Sequence, residues 1–243
     1  MLVDAHCHID MCKRPAHEVV AGNVRIVTNG VDLASNKKAL EYAKIFPNVY
    51  PANGLYPTHG IESSEKELAE VFQFIEKNKD KIVAVGEVGI DFYHITKPKQ
   101  QKKEIEVFKQ IIELANKINK PLVVHSRKAA EEALSCLRAA KVPVIMHCFE
   151  GNATQTHDAI ERGYYFTIPA NFATRKGFKK TAQRVPITQL MTETDSPYLS
   201  PIDGENKPAN VSYALDKLAE LKKMTRQQVE THIYQNFKQI FIK

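Results

Sequence analysis

Near the N-terminus, Val3-Asp4-Ala5-His6-Cys7-His8-Ile9 alternates polar and apolar side chains. On a strand, residues two apart point the same way, so Asp4, His6 and His8 share one face and Val3, Ala5, Cys7 and Ile9 the other. Two imidazoles at this spacing suit a metal site, and they equally suit a hydrogen-bonded pair at a loop. Four more short apolar runs end in the same kinds of group. Glu87 follows Val83-Ala84-Val85-Gly86, where an unpaired carboxylate would carry a heavy desolvation cost and calls for a cation. His125 follows Val123-Val124, His147 follows Ile145-Met146, and Asp195 follows Glu193-Thr194. Imidazole and carboxylate without thiolate suit Zn²⁺, Mn²⁺ or Fe, with Mg²⁺ as the harder alternative. Six such ligands are too many for one tetrahedral ion. They fit two divalent ions sharing a water that becomes a hydroxide nucleophile, with Glu87 as the bridge. Asp195 would coordinate one ion and orient or deprotonate the attacking water.

Such ligands must come from elements that converge. Eight strand-length apolar runs recur: Leu2 to Ile9, Val24 to Gly30, Val49 to Tyr56, Ile82 to Asp91, Pro121 to Ser126, Val142 to Cys148, Tyr164 to Pro169 and Leu190 to Asp195. Amphipathic stretches lie between them, such as Ser64 to Asn78 and Lys103 to Asn119. Ser63 is the expected first cap of the former, and Thr225 with Gln228 forms a capping-box pattern before a final helix. The alternation predicts an α/β (β/α)8 TIM barrel, a single domain over residues 1–243, with the ligand-type residues at the C-terminal strand tips where barrel enzymes keep their sites. An open doubly wound sheet is the alternative. Its nucleotide-binding form would need a GxGxxG or GxxxxGK[ST] loop, and neither occurs.

Composition narrows the class. The 243 residues carry Lys+Arg 34 against Asp+Glu 28, a formal net charge of +6, and are 43% hydrophobic. No run approaches the ~18 apolar residues of a membrane span, and polar Asp4, His6 and His8 fall where a signal peptide would be apolar. Cys7, Cys12, Cys136 and Cys148 form no CxxC pair, which suits reduced thiols and a cytoplasmic location. Cys148, opposite in parity to His147, is expected to pack outward. Asp91 and Glu193 share the inward parity of the ligands and are expected to orient histidines from behind. His17, His94, His157 and His232 have no strand-end placement and read as surface or cap residues. Arg127, just after His125, is a candidate phosphate-binding residue. Lys97, Lys99, Lys102 and Lys103, with Arg175, Lys176, Lys179 and Lys180, are expected to rim the site or to be solvated helix turns.

The stretches Val3-Asp4-Ala5-His6-Cys7-His8, Gly86-Glu87-Val88-Gly89-Ile90-Asp91, His125-Ser126-Arg127, His147-Cys148-Phe149 and Thr194-Asp195-Ser196-Pro197-Tyr198 resemble the TatD family of metal-dependent deoxyribonucleases, within the amidohydrolase-like barrels. The resemblance runs in order along essentially the whole chain. It implies metal ligands at His6, His8, Glu87, His125, His147 and Asp195, and hydrolysis of phosphodiester bonds in nucleic acid, DNA in particular, with no obligate protein partner. Three stretches depart from it. The family's Gly-x-His-Pro-His pattern reads Gly54-Leu55-Tyr56-Pro57-Thr58-His59, a small Ser after strand six is Glu150, and an Arg-Asn-Glu-Pro-like segment reads Gly204-Glu205-Asn206-Lys207-Pro208. Tyr56 therefore stands where an imidazole is expected, and is assigned a phosphate-positioning role. The rivals are an amidohydrolase-type esterase or amidase, such as an acyl-nucleic-acid deacylase, and a nucleic-acid-binding protein with a vestigial metal site.

Overall fold

Eight parallel strands stand side by side in sequence order: β1 (Leu2–Cys7), β2 (Val24–Asn29), β3 (Val49–Asn53), β4 (Ala84–Asp91), β5 (Leu122–Arg127), β6 (Val144–Met146), β7 (Tyr165–Pro169) and β8 (Leu190–Glu193). This computed structural model describes residues 1–242. Between the strands run α1 (Ala16–Val19), α2 (Leu33–Ile45), α3 (Pro57–Glu62), α4 (Glu65–Lys77), α5 (Pro98–Ile118), α6 (Ala130–Cys136), α7 (Ala153–Glu161) and α8 (Lys176–Arg184), with α9 (Val211–Lys222) and α10 (Arg226–Phe241) after β8. The result is the expected TIM-barrel-like single domain. None of its described helices is long and apolar enough to cross a membrane.

The β-branched runs form these strands because each is buried on both faces, the inner against the barrel interior and the outer against the helices. Leu68, Val71 and Ile75 of α4 and Phe108, Ile111, Ile112 and Ala115 of α5 pack into one core with Val85, Val123 and Val124. Each such Val, Leu, Ile or Phe side chain contributes about 1.5–3 kcal/mol by burial, which fixes the outer ring firmly around the sheet. Local signals set the ends. Ser64, rather than Ser63, caps α4 in a reciprocal box with Glu67, because the Ser63 hydroxyl turns back to the His59 carbonyl at the end of α3. Thr225 and Gln228 box α10 as expected. The fifth helix starts at Pro98, not Lys103, since proline at N1 needs no amide partner.

Two strands are irregular where chemistry is expected. Pairing shifts register in β1 between Asp4 and Cys7, and in β4 between Val85 and Val88. Each irregularity contains a candidate ligand, His6 in the first and Glu87 in the second. Gly86 lies in the second bulge, and any side chain there would collide with Val123.

The edge between β8 and β1 is closed differently from the rest. Among the described residues there is no ladder between these strands. Instead Asp195 N–H donates to the His6 carbonyl (2.9 Å) and His8 N–H to the Ser196 carbonyl (2.8 Å). Below them the Thr192 hydroxyl donates to the Val3 carbonyl, and the buried Asp4 carboxylate accepts from the Thr194 N–H (2.9 Å) and hydroxyl. The joint is a seam of loop bonds and side chains at the mouth.

Candidate metal centre

The strand tips bring His6, His8, Glu87, His125, His147 and Asp195 together at the C-terminal end of the barrel. Glu87, nearly fully buried, sits between two groups of nitrogen atoms and offers each a different oxygen. Its Oε2 lies 3.4 Å from His6 Nε2 and 3.2 Å from His8 Nε2. Its Oε1 lies 3.0 Å from His125 Nδ1 and 3.8 Å from His147 Nε2. Asp195 lies nearest the first group, with Oδ1 3.7 Å from His6 Nε2 and 3.5 Å from His8 Nε2, and also forms a cluster with His6 and His147. Asp195 reaches in because its backbone takes the left-handed conformation (φ 55°), which Asp tolerates better than most residues.

The second group depends on a close fit between β4 and β5. Gly89 has φ 143°, and a Cβ there would strike the His125 backbone. Behind the inner atoms stands a ring of acceptors. His125 Nε2 faces Asp91 Oδ2 at 3.0 Å, and His147 Nδ1 faces Glu193 Oε2 at 2.7 Å. His8 Nδ1 faces the Asn29 carbonyl at 2.9 Å, while His6 Nδ1 is buried without a partner. Asp91 and Glu193 thus stand behind histidines as their parity suggested.

Charge coupling follows the geometry. Burial alone would raise the Glu87 carboxyl, but His125, His6 and His8 outweigh it and hold it well below the usual carboxylate range. Burial would lower His147, and the Glu193 charge overcomes that, carrying the imidazole up to about 9. Burial, reinforced by the neighbouring His147, lowers His6. Burial also opposes the Asp91 carboxylate, yet His125 and His94 hold it below its ordinary value.

The donor set fits a divalent cation. His6 Nε2 and His8 Nε2 point at each other across 3.2 Å and at the same Glu87 oxygen, so at least one lone pair lacks a proton to meet. Converging nitrogen and oxygen lone pairs without thiolate are what Zn²⁺, Mn²⁺ or Fe would satisfy. His6, His8 and Glu87 form one buried cluster able to hold an ion, and Glu87, His125 and His147 form another.

Other expectations divide. Tyr56 reaches the site, donating its hydroxyl to Asp91 Oδ2 (2.8 Å) and lying 3.4 Å from His125 Nε2. His59 turns away to the Val31 carbonyl. Arg127 ends β5, stacks 3.7 Å over the Tyr93 ring, and lines a mouth cavity of about 750 Å³ together with Lys128, Arg175, Glu150 and Asp195. Lys97, Lys99, Lys102 and Lys103 do not line that cavity, because the early start of α5 carries them onto the helix ring. Lys103 is spent on the carbonyls of Ile61 and Ser63. Cys148 corrects the parity reading. Its left-handed backbone (φ 43°) turns the thiol inward to Glu193 Oε1 at 2.9 Å, and burial first, then the Glu193 charge, keep it protonated.

Two contributors gave weaker signals. His94 is not an ordinary surface residue, since its Nδ1 meets Asp91 Oδ2 at 2.8 Å. Its place three residues after Asp91 is the only hint the sequence held. Asn206, nearly fully buried, donates to the carbonyls of Thr194 (2.8 Å) and Tyr198 (2.7 Å), clamping the loop that presents Asp195.

Buried imidazole and carboxylate clusters at the mouth of a (β/α)8 barrel define a metal-dependent hydrolase. Comparison with known proteins makes the assignment particular: the chain belongs to the family described as TatD related DNase, whose sequence model matches residues 3–242. An uncharacterized metal-dependent hydrolase of Methanocaldococcus jannaschii is 34% identical over 96% of this chain and 94% of its own length. The deoxyribonuclease TATDN3 of Homo sapiens is 28% identical over 100% of this chain and 95% of its own. The crystal structure of YJJV, a TatD homolog from Escherichia coli K12, shares the fold with a TM-score of 0.87 at 20% identity, over 99% of this chain and 97% of that one.

Proposed function

We propose that this chain hydrolyses phosphodiester bonds of nucleic acid, with DNA as the substrate, at a centre of two divalent ions held by His6, His8, Glu87, His125, His147 and Asp195. The observation that carries the reading is the division of the two Glu87 oxygens between two nitrogen groups, which is the arrangement of a bridging carboxylate. When bound there, divalent ions lower the pKa of water and neutralise charge on a phosphodiester. Asp195 is the more accessible of the two inner carboxylates, its side chain 17% exposed against 4% for Glu87, so it holds the attacking water at Oδ1 and takes its proton. Arg127, Lys128 and Arg175 stand at the mouth beside Glu131, Glu132 and Glu150 and offer a phosphate ester cationic contacts that a neutral acyl ester would not use. The hydrogen of the Tyr56 hydroxyl is committed to Asp91, so Tyr56 serves the substrate by holding Asp91 against His125. The family and the human relative's name support nucleic acid as the substrate class.

The test is turnover of end-labelled single- and double-stranded DNA, RNA and acyl esters by metal-free protein reconstituted with Zn²⁺, Mn²⁺, Fe²⁺ or Mg²⁺, with elemental analysis of each form. The expected result is metal-dependent cleavage of DNA at two ions per chain. Cleavage of acyl esters alone, or DNA binding without turnover in any metal, would replace the reading with one of its rivals.

A further inference from the structure

Five cations crowd one short element. Arg175 caps α8, and Lys176, Lys179, Lys180 and Arg184 lie on it, all exposed, with no acid within the helix. None of these side chains pairs with another described residue. Four surface cations elsewhere pair, Lys117 with Glu76, Arg162 with Asp158, Lys217 with Glu220, and Arg226 with Asp216 and Glu230, while others such as Lys37 and Lys99 stand alone; what sets α8 apart is the clustering of its cations with no acid among them. Leaving five like charges uncompensated on the ten residues 175–184 costs helix stability through repulsion at i,i+4, so the fold itself gives no reason for them.

Their placement gives one. Lys176, Lys180 and Arg184, spaced four apart and therefore on one ridge, line a groove of about 390 Å³ against Asn152 and Glu150. The groove shares Glu150 and Gly177 with the mouth cavity, and Arg175 lines that cavity from the same end. The α7 N-terminus, capped by Asn152, opens on the groove and adds the positive end of its dipole. Cationic side chains thus lead from the mouth cavity past Arg175 and along α8, interrupted by Glu150 at the junction.

We infer that α8 is a track for the phosphate backbone of a nucleic acid strand whose scissile bond lies at the metal centre, which deepens the proposed function and rests on it. Lys176 to Arg184 spans about 12 Å at 1.5 Å per residue, room for two or three consecutive phosphates of an extended strand. Substrate affinity therefore rises with strand length over about three nucleotides beyond the mouth cavity and then levels. Glu150, the one acid at the junction, opposes this attraction.

The experiment is anisotropy of a labelled single-stranded oligodeoxynucleotide on metal-free protein across a salt series, beside KM for the same strand and for a dinucleotide on reconstituted protein. In the variant Lys176→Gln/Lys180→Gln/Arg184→Gln, loss of three contacts at about 0.7 each should reduce the log–log salt slope by about 2. KM for the long strand should rise about tenfold while that for the dinucleotide stays put, and Glu150→Gln should shift both long-strand readouts the other way. An unchanged slope in the triple variant overturns the track. So does a triple variant that loses only its binding to phosphatidylserine vesicles, which would make α8 a membrane-facing surface. If no phosphodiester is turned over yet the slope falls as expected, the hydrolytic reading fails and the track stands.

Discussion

His125 and His147 each press their outer ring nitrogen on a carboxylate, Asp91 and Glu193, whereas His8 rests on a backbone carbonyl and His6 on nothing. The two halves of the site are therefore oriented by different means. A carboxylate behind an imidazole fixes its tautomer and raises its basicity, so the His125/His147 half is governed by side chains that single substitutions can remove. The His6/His8 half is held by β1 and by the seam to β8, and it receives its anionic charge from Asp195 across that seam. One half is tuned by side chains and the other by architecture, with Glu87 common to both.

The largest effect should come from the shared residue. Glu87→Ala should lower turnover by orders of magnitude and reduce bound metal from two ions to at most one, with the circular dichroism of the barrel preserved. Near wild-type activity would mean the halves do not share a bridge. Asp195→Asn should lower turnover about 10²- to 10⁴-fold while an ion in the His125/His147 half is retained, as a stepwise Mn²⁺ titration would show. Loss of both steps together would erase the distinction between halves.

Glu193→Gln and Asp91→Asn should each weaken one of the two titration steps by about 10- to 100-fold and leave the other unchanged. Uniform weakening of both would show that the backing carboxylates act on overall charge. The architectural half is probed by Asn206→Ala, which strips the Thr194 and Tyr198 carbonyls of their donor and should cost about 1–3 kcal/mol in urea unfolding. The smallest effect is a pH slope beside the tuned half. Glu104 accepts the Asp91 N–H at 2.6 Å, and burial raises its carboxyl from 4.5 to about 7. The fold disfavours its charge, so its stabilising contribution is complete below pH 4.5 and is lost as pH rises through about 7. Thermal midpoints of Glu104→Gln should lack this decline between those limits, and a parallel decline in the variant would assign the slope to other groups.

Much of the fold was legible because strand identity depends on local β-branched runs and helix starts on short boxes such as Thr225 with Gln228. The inner six residues were legible for a related reason: each is a polar group ending an apolar run, a pattern that is costly unless something pairs with it. Residues whose role depends on left-handed backbone or on a loop returning from far away were not. Cys148 turns inward only because its φ is positive, and alternation along a strand carries no sign of that. Asn206 acts through two carbonyls brought to it by the loop after β8, a partnership visible only once the chain has closed. Of the two readings open for Lys97, Lys99, Lys102 and Lys103, the helix-turn one holds, because helix onset at Pro98 rather than Lys103 moves them off the mouth.

The seam between β8 and β1 bears on how the molecule assembles. Asp4 and Thr194 are 190 positions apart in the chain, and their bond cannot form until nearly the entire polypeptide has been laid down. His6, His8 and Asp195 straddle the same joint, so any ion they hold is a clasp between the first strand and the last. Chelation should then release these two strands earlier than the rest of the barrel, and amide exchange in β1 and β8 should accelerate before that in β4 and β5. The candidate metal centre and the lock on the closed ring are one object.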